Sequence, residues 1–249
     1  MSMLFSLQAW PLLLVFALAA LCFFLIAILF FNVVSRHAGH LEKITPLPTF
    51  IGAITTVWAL SLGFAAADVW TVRANAERLA GAERSSISRL AGMSRSEALD
   101  RPQLRQALSL YAAAVSGDEW SRKRNMEASP EVERAIHQMR LALISLAGTD
   151  TPDALVDKMM RDFDELQDAR NERLAIGRST VSDYKWYLVL FLTMLSMLTI
   201  ATTHIGQPRA ARNALVIFTF ASFMSLWILA LHANPYAGAA RVEFTQARI

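Results

Sequence analysis

Charged side chains are missing from four long stretches of this 249-residue sequence, and their absence constrains the fold more than any other feature. Residues 1–35 contain no Asp, Glu, Lys or Arg, and neither do residues 44–67. A helix needs about 20 consecutive apolar residues to cross a hydrocarbon core about 30 Å thick. The sequence therefore predicts an all-α, polytopic membrane protein.

The stretches predict four transmembrane helices: Pro11–Val34, Phe50–Val69, Trp186–Ile205 and Ala214–Leu231. The first is interpreted as a span because no Lys or Arg precedes it and it exceeds the roughly 7–15-residue core of a cleaved signal peptide. A short turn, Gly206–Arg209, is expected between the last two spans. Aromatic residues at the span ends are expected to lie at the membrane interfaces; they are Trp70, Tyr184, Trp186 and Tyr187.

The charge that the spans lack is concentrated between the second and third of them. Residues 71–183 hold 17 of the 24 Lys and Arg residues and 18 of the 21 Asp and Glu residues. This segment is close to neutral, so the basic chain does not indicate a nucleic-acid-binding face. The predicted organisation is spans one and two in 1–70, an extramembrane helical domain in 71–183, spans three and four in 184–232, and a short tail in 233–249.

The middle segment shows helical periodicity and helix-start signals. Ser129-Pro130 and Thr151-Pro152 each place a capping hydroxyl before a proline at the first helical position. Apolar residues recur at helical spacing in two sets: Leu104, Leu108, Tyr111 and Val115, then Leu155, Met159, Phe163 and Leu166. The second span is expected to continue as a helix toward Met93, and a helix from Pro152 is expected to run into span three with its bend at Gly177.

No catalytic or metal-binding motif is present. The histidines lie apart from one another without a metal-ligand motif; they are His37, His40, His137, His204 and His232. The hydrolase, P-loop and dinucleotide-binding motifs are missing too. The acidic run Asp162–Asp168 is predicted to be a solvated helix face, and the acids and bases of 118–124 are predicted to pair among themselves. We therefore expect no enzyme activity, cofactor or metal site.

One ionisable residue, Asp68, lies at the end of the second span. Successive helical turns before it carry Phe64, Leu60 and Thr56. If several copies surrounded an axis, these four residues would line a pore with a hydroxyl ring, two apolar constrictions and an acidic mouth. Spacing alone favours a second interpretation, in which Leu60 and Phe64 pack against neighbouring helices and Asp68 pairs with an arginine at the interface.

Several short motifs resemble those of a known family. The second span and the helix after it resemble bestrophin anion channels at Leu62-Gly63-Phe64, Asn75-Ala76-Glu77-Arg78 and Ser88-Arg89-Leu90-Ala91. Similarity is greater to the bestrophin-like family of bacterial four-span membrane proteins and covers essentially the whole chain. Its motifs are Val69-Trp70, Glu83, Tyr111, Glu119-Trp120, Glu172-Arg173-Leu174, and Asn234-Pro235-Tyr236 with Gly238.

The resemblance implies a homo-oligomer, as in the pentameric bestrophins, with the second spans around an ion pore. Leu60 and Phe64 would then form the apolar neck, with the helical middle segment in the cytoplasm. The ion preference stays open, because bestrophins conduct anions whereas a ring of Asp68 carboxylates would favour cations. The expected partners are the lipid bilayer, other copies of the chain and inorganic ions, without nucleic acid.

Two questions stay open at the sequence level. The alternative function is a non-conducting membrane scaffold or sensor whose middle segment binds a protein partner. The orientation depends on which basic residues are counted: the short loops favour one direction, whereas the flanks within about 15–20 residues of the spans favour the other. We predict an inner-membrane, multi-pass protein with its middle segment in the cytoplasm.

Overall fold

The computed structural model describes residues 2–36, 48–178 and 183–243, and the regular elements in these ranges are helical. A π-helix, Val115–Arg122, follows α4, and a 3-10 helix, Ser145–Gly148, follows α5. The all-α prediction is confirmed. In chain order the α-helices are α1 Ser2–Phe5, α2 Ala9–Arg36, α3 Pro48–Ser94, α4 Pro102–Ala114, α5 Pro130–Ile144, α6 Asp153–Arg178, α7 Asp183–Thr203 and α8 Pro208–His232.

The described residues form two compact units. The membrane unit comprises the described residues 2–36, 48–71 and 183–240, and the charged unit comprises 72–178 and 241–243. The α3 helix contributes to both, because it runs without a break from Pro48 to Ser94 and contains no proline after its first residue. This confirms the prediction that the second span continues as a helix toward Met93.

Four helices of the structure are long and apolar enough to cross a bilayer: α2, α3, α7 and α8. The predicted first, second and fourth spans lie inside α2, α3 and α8. The predicted third span begins inside α7 but ends two residues too late, because α7 ends at Thr203. The turn to α8 also differs from the prediction: α8 begins at Pro208, and Gly206 just before it has a φ of 91°, which favours glycine.

Helices α2, α7 and α8 pack against one another in the membrane unit around two apolar clusters. One cluster contains Phe16, Val189 and Leu226, and the other contains Phe31, Met197 and Leu215. The prediction of Trp186 as an interfacial anchor was wrong: its side chain is buried, with its ring centroid 4.7 Å from that of Phe5. The other three predicted anchors, Trp70, Tyr184 and Tyr187, are exposed.

The charged unit contains α4, α5, α6 and the second half of α3. Its predicted apolar stripe on α4 is confirmed, and on α6 Met159, Phe163 and Leu166 are buried. Leu155 was wrongly included, because it lies in the first turn of α6 and is exposed. The buried positions therefore follow the helical period, except in the first turn of α6.

The predicted helix starts are close to the observed ones but differ in their capping. Pro130 begins α5 as expected, yet the Ser129 hydroxyl donates a 2.8 Å hydrogen bond to the Glu131 carboxylate instead of capping a backbone N–H. Helix α6 begins at Asp153, one residue after the predicted start. The predicted continuation into span three depends on residues 179–182, which lie outside the described residues.

The acidic run of α6 is not a uniformly solvated face, contrary to the prediction. Asp162 is fully buried, because its position falls on the same side of the helix as Met159, Phe163 and Leu166. Arg89 donates to Asp162 Oδ1 at 2.7 Å, and Lys158 donates to the same oxygen at 2.5 Å. Two cations therefore compensate the buried charge, whereas Asp164, Glu165 and Asp168 remain exposed.

Candidate functional site

Two polar contacts with α7 fix the rotation of α3 in the membrane unit. The Trp58 indole N–H donates a 2.9 Å hydrogen bond to Thr193 Oγ1. Lys185 donates to Asp68 Oδ2 in an ion pair. The two helices are antiparallel here, and the contacts are about 15 Å apart along α3 at 1.5 Å per residue. Rotation of α3 about its axis would break both contacts.

This rotation turns one side of α3 toward the core of the unit and the other side away from it. Ala65 and Val69 are buried against the core. Leu60 is 58% exposed and Phe64 is 69% exposed, and Thr56 is exposed as well. Three of the four predicted pore-lining residues therefore lie on a surface that the single chain leaves uncovered.

The apolar part of α3 is also the least covered of the four candidate spans. Only 6% of the residues in its most apolar window are buried, against 44% in α7 and 39% in α8. Small residues recur on the exposed side at intervals of four, as Ala59, Gly63 and Ala67. Such spacing lets helices approach closely in a membrane, whereas a lipid-facing surface has no need of it.

Asp68 does not lie directly below Thr56 on this surface. Each step of four residues rotates the position by about 40°, so Asp68 is about 120° round the helix from Thr56. Its side chain is 40% exposed and pairs with Lys185, which is 51% exposed. The sequence-based alternative of an interfacial ion pair was right in kind, but the partner is a lysine instead of an arginine.

A buried ion-pair network lies in the charged unit. The Arg173 guanidinium is fully buried and donates to Glu83 at 2.7 and 3.1 Å and to Glu119 at 2.9 Å. Arg170 donates to Glu119 at 2.6 Å, and the Tyr111 hydroxyl donates to Glu83 at 2.6 Å. The two buried carboxylates and the two guanidiniums therefore balance in charge, which is the condition for burying such charges, and the exposed Glu133 also accepts from Arg170 at 2.8 Å. The prediction that Glu119 pairs within 118–124 was wrong.

The network connects four different elements. Glu83 belongs to α3, Tyr111 to α4, Glu119 to the π-helix, and Arg170 and Arg173 to α6. Spacing of three residues puts the two arginines on one side of α6. The extra residue per turn of a π-helix changes which side chains face inward, and Glu119 is buried there beside Trp120. The Arg173 guanidinium lies 5.3 Å from the centroid of the Trp120 ring, in a cation–π contact.

The surroundings stabilise the charged forms of Glu119 and Arg173 and the neutral form of Tyr111. Burial alone would raise the pKa of Glu119, but hydrogen bonding from Arg170 and the charge of Arg173 lower it below its ordinary value. Burial opposes the charge of Arg173, yet the nearby Glu83 carboxylate raises its pKa further. Burial and the Glu83 charge raise the pKa of Tyr111, so the phenol stays protonated and donates.

These pKa directions predict an acid-sensitive charged unit. A carboxylate whose folded pKa is lowered stabilises the fold above its unfolded pKa, about 4.3 for Glu, and loses that contribution as pH falls through the lower folded value. We expect the thermal unfolding midpoint of detergent-solubilised protein to be nearly constant from pH 7 to pH 5 and to fall below about pH 4. The Glu119→Gln variant should show a shallower fall; an equal fall would contradict a role for Glu119.

Gly177 is required by a close approach of the backbone, and the bend predicted there depends on residues outside the described ranges. It lies in α6 one turn after Arg173, and a Cβ there would overlap the backbone oxygen of Asn125. Asn125 has a φ of 58°, and its side-chain oxygen accepts a hydrogen bond from Arg173. The glycine therefore lets the Asn125 backbone reach the network.

The Gly177→Ala variant is expected to destabilise the charged unit by about 1–3 kcal/mol, because the methyl group would overpack this contact. The matched control is Gly81→Ala in α3, where a Cβ meets nothing within 4 Å. That variant should be neutral or slightly stabilising, since alanine is favoured over glycine in helices by roughly 1 kcal/mol. Thermal unfolding monitored by tryptophan fluorescence measures both. Equal midpoints for the two variants would contradict the steric argument.

The remaining sequence candidates do not form a metal centre in the described part of the chain. No group of three His, Cys, Asp or Glu residues lies close enough there to hold an ion. His232 packs against Trp70 in a tilted arrangement with 4.8 Å between ring centroids, and His204 bonds to the Ile200 carbonyl at 2.8 Å. His37 and His40 lie outside the described residues.

Comparison with known proteins shows the family of this chain. The model of the Bestrophin-like family, which describes a Bestrophin-like domain, matches residues 16–247. The chain belongs to the Bestrophin-like family. Membership of this family and the four candidate spans together show that the chain is a membrane protein. A search of curated proteins gives no match.

Solved bestrophin structures share the fold. A bacterial bestrophin homologue from Klebsiella pneumoniae is 16% identical, with a TM-score of 0.66 over 90% of this chain and 92% of that one. A single-residue variant of a Klebsiella pneumoniae bestrophin homologue is 15% identical, with a TM-score of 0.70 over 91% and 93%. Identities this low establish similarity of fold, and the all-helical architecture agrees with it.

The bestrophin-like motifs of the middle segment converge on the buried network. Glu83, Tyr111, Glu119 and Arg173 are far apart in the sequence, but each bonds to another member of the network. Sequence reasoning missed Arg170 and Asn125 as members. The spacing of Arg170 and Arg173 was the available signal for Arg170, whereas no local pattern indicated Asn125.

The motif after α8 has a structural role in the membrane unit. The Asn234 side-chain oxygen accepts hydrogen bonds from the backbone N–H groups of Tyr236 and Ala237 at 3.0 and 3.1 Å, which closes a turn. Gly238 follows with a φ of 86°, and a Cβ there would lie 2.9 Å from the Phe5 oxygen. The motif therefore docks the segment after α8 against α1.

Proposed function

We propose that the protein is a homo-oligomeric ion channel in which α3 lines the pore. The observation that carries this proposal is the exposed face of α3. Leu60 and Phe64 lie on the side of α3 that faces away from the chain's own core, and α3 is the least covered of the four candidate spans. The contacts with α7 hold α3 in this rotation. Membership of the Bestrophin-like family and the fold shared with bestrophin homologues support the same function.

Each member of the proposed pore face has a distinct role. Thr56 offers a hydroxyl to a passing ion, and Leu60 and Phe64 form successive apolar constrictions that gate by excluding water. Asp68 lies at the mouth. The small residues beside them let α3 helices of neighbouring copies approach closely. In this proposal the helical segment 71–183 forms the vestibule.

Conductance and particle symmetry together test the proposal. Purified protein in liposomes loaded with KCl should release ions, whereas liposomes without protein should not. Imaging of the detergent-solubilised particle should show a ring, with five copies if the bestrophin arrangement holds. A monomeric particle without conductance would overturn the channel. Retention of a tight protein partner by such a particle would favour the scaffold or sensor alternative.

We further propose that the protein lies in the inner membrane with its middle segment in the cytoplasm. Basic residues that flank the spans support this orientation, among them Arg73, Arg78 and Lys185. In a Cys22→Ser background, the exposed residues Ser121 and Gln207 provide opposite reporters. A membrane-impermeant maleimide should label Gln207→Cys in cells with a permeabilised outer membrane, and Ser121→Cys only after lysis. The reverse result would invert the orientation.

A further inference from the structure

We propose that Lys185 determines the ion preference of the channel by cancelling the charge of Asp68 at the pore mouth. This inference rests on the proposed function, because it assigns a role to a residue beside the proposed pore face. The pore interpretation of the sequence placed Asp68 at an acidic mouth, whereas the alternative interpretation paired it with an arginine. The structure places the Lys185 ammonium directly on its carboxylate.

The position of the pair lets it influence ions without being sealed from them. The Asp68 side chain is 40% exposed and the Lys185 side chain is 51% exposed, so the single chain leaves both groups partly uncovered. An isolated carboxylate in such a place would attract cations within roughly the 8–10 Å over which salt leaves charges unscreened. An adjacent ammonium reduces this field to that of a short dipole.

The other acids near Asp68 do not restore the negative charge that Lys185 cancels. The next acid along α3 is Glu77, whose carboxylate pairs with Arg73 at 3.1 Å. Asp183 begins α7 two residues before Lys185. This spacing puts Asp183 about 160° round α7 from Lys185. Each acid on the α3 side of the mouth therefore has a basic partner. The mouth is close to neutral, which removes the electrostatic argument against anion passage.

The predicted consequence is a pair of opposite selectivity changes. Lys185→Gln leaves Asp68 uncompensated and should raise the permeability of K⁺ relative to Cl⁻ by about threefold to tenfold, the effect expected for one unit charge near the ion path. Asp68→Asn leaves Lys185 uncompensated and should shift the ratio in the opposite direction. The double variant Asp68→Asn with Lys185→Gln should return close to the wild-type ratio.

The reversal potential across a bilayer with a KCl gradient measures this ratio. Lys185→Arg keeps the charge and should keep the wild-type potential. Lowering the salt concentration should enlarge both single-variant shifts, because screening weakens. A pair that served only to attach α3 to α7 would change the amount of folded protein but would leave the potential of the remaining channels unchanged.

The outcomes separate this inference from the channel proposal. If the wild-type protein conducts and the single variants keep its reversal potential, the role of Lys185 is wrong and the channel stands. If both single variants shift the potential in the same direction, charge cancellation is likewise wrong. If the wild-type ring does not conduct at all, the channel proposal fails and this inference fails with it.

Discussion

Replacing Arg173 with methionine is expected to lower the free energy of unfolding of the charged unit by about 3–5 kcal/mol. The side chains are similar in length, but the substitution removes the guanidinium that neutralises Glu83 and Glu119. Both carboxylates are fully buried. Glu119 would keep Arg170, whereas Glu83 would keep the neutral Tyr111 hydroxyl and lose its guanidinium partner. A buried charge without its counterion accounts for the size of the effect.

Thermal unfolding in detergent measures this loss, and we expect the midpoint to fall by roughly 10 °C, at about 2–4 °C per kcal/mol for a chain of this size. The control is Arg161→Met, an exposed arginine on the same helix, which should shift the midpoint little. Arg173→Lys should lie between the two, because an ammonium keeps the charge but cannot match the forked contacts to Glu83.

A double variant that removes one charge of each sign distinguishes charge compensation from side-chain packing. Adding Glu83→Gln to Arg173→Met removes one negative and one positive charge together and leaves the Arg170–Glu119 pair intact. The double variant should recover part of the lost stability relative to Arg173→Met alone. If Arg173→Met unfolds at the same temperature as Arg161→Met, the network contributes no stability and its role is wrong.

The sequence predicted those parts of the fold that depend on local chemistry. Charge-free stretches placed the spans, since a bilayer imposes length and apolarity on consecutive residues. Helical spacing placed the buried stripe of Leu104, Leu108 and Tyr111. Errors occurred where a position depends on a distant partner: Trp186 looks like an interfacial anchor until Phe5 is seen to cover it.

The site was less predictable than the fold for the same reason. Lys185 follows Asp68 by 117 residues, and Arg173 follows Glu83 by 90. No periodicity relates residues so far apart, so the sequence indicated the type of pairing partner but not its position. The close approach at Gly177 was not predicted, because the Asn125 carbonyl that requires it is distant in the sequence. Family motifs identified several network members without indicating that they touch.

Shortening Phe64 to alanine is expected to raise the ion flux of the proposed channel by about tenfold or more, equivalent to about 1.4 kcal/mol of barrier. An apolar constriction resists ions because water leaves it and the ion would enter without its hydration shell. In a homo-oligomer one substitution widens the constriction from every copy at once. Leu60→Ala should act in the same direction, one helical turn away.

The matched control lies on a different helix of the same unit. Leu29 in α2 is 65% exposed, much like Leu60 at 58%, so Leu29→Ala removes the same atoms from an equally uncovered surface. If exposed leucines of the membrane unit only contact lipid, all three variants should leave the flux of KCl-loaded liposomes unchanged. If α3 lines the pore, Phe64→Ala and Leu60→Ala should raise the flux and Leu29→Ala should not. An increase with Leu29→Ala alone would place the ion path beside α2 and overturn the assignment of α3.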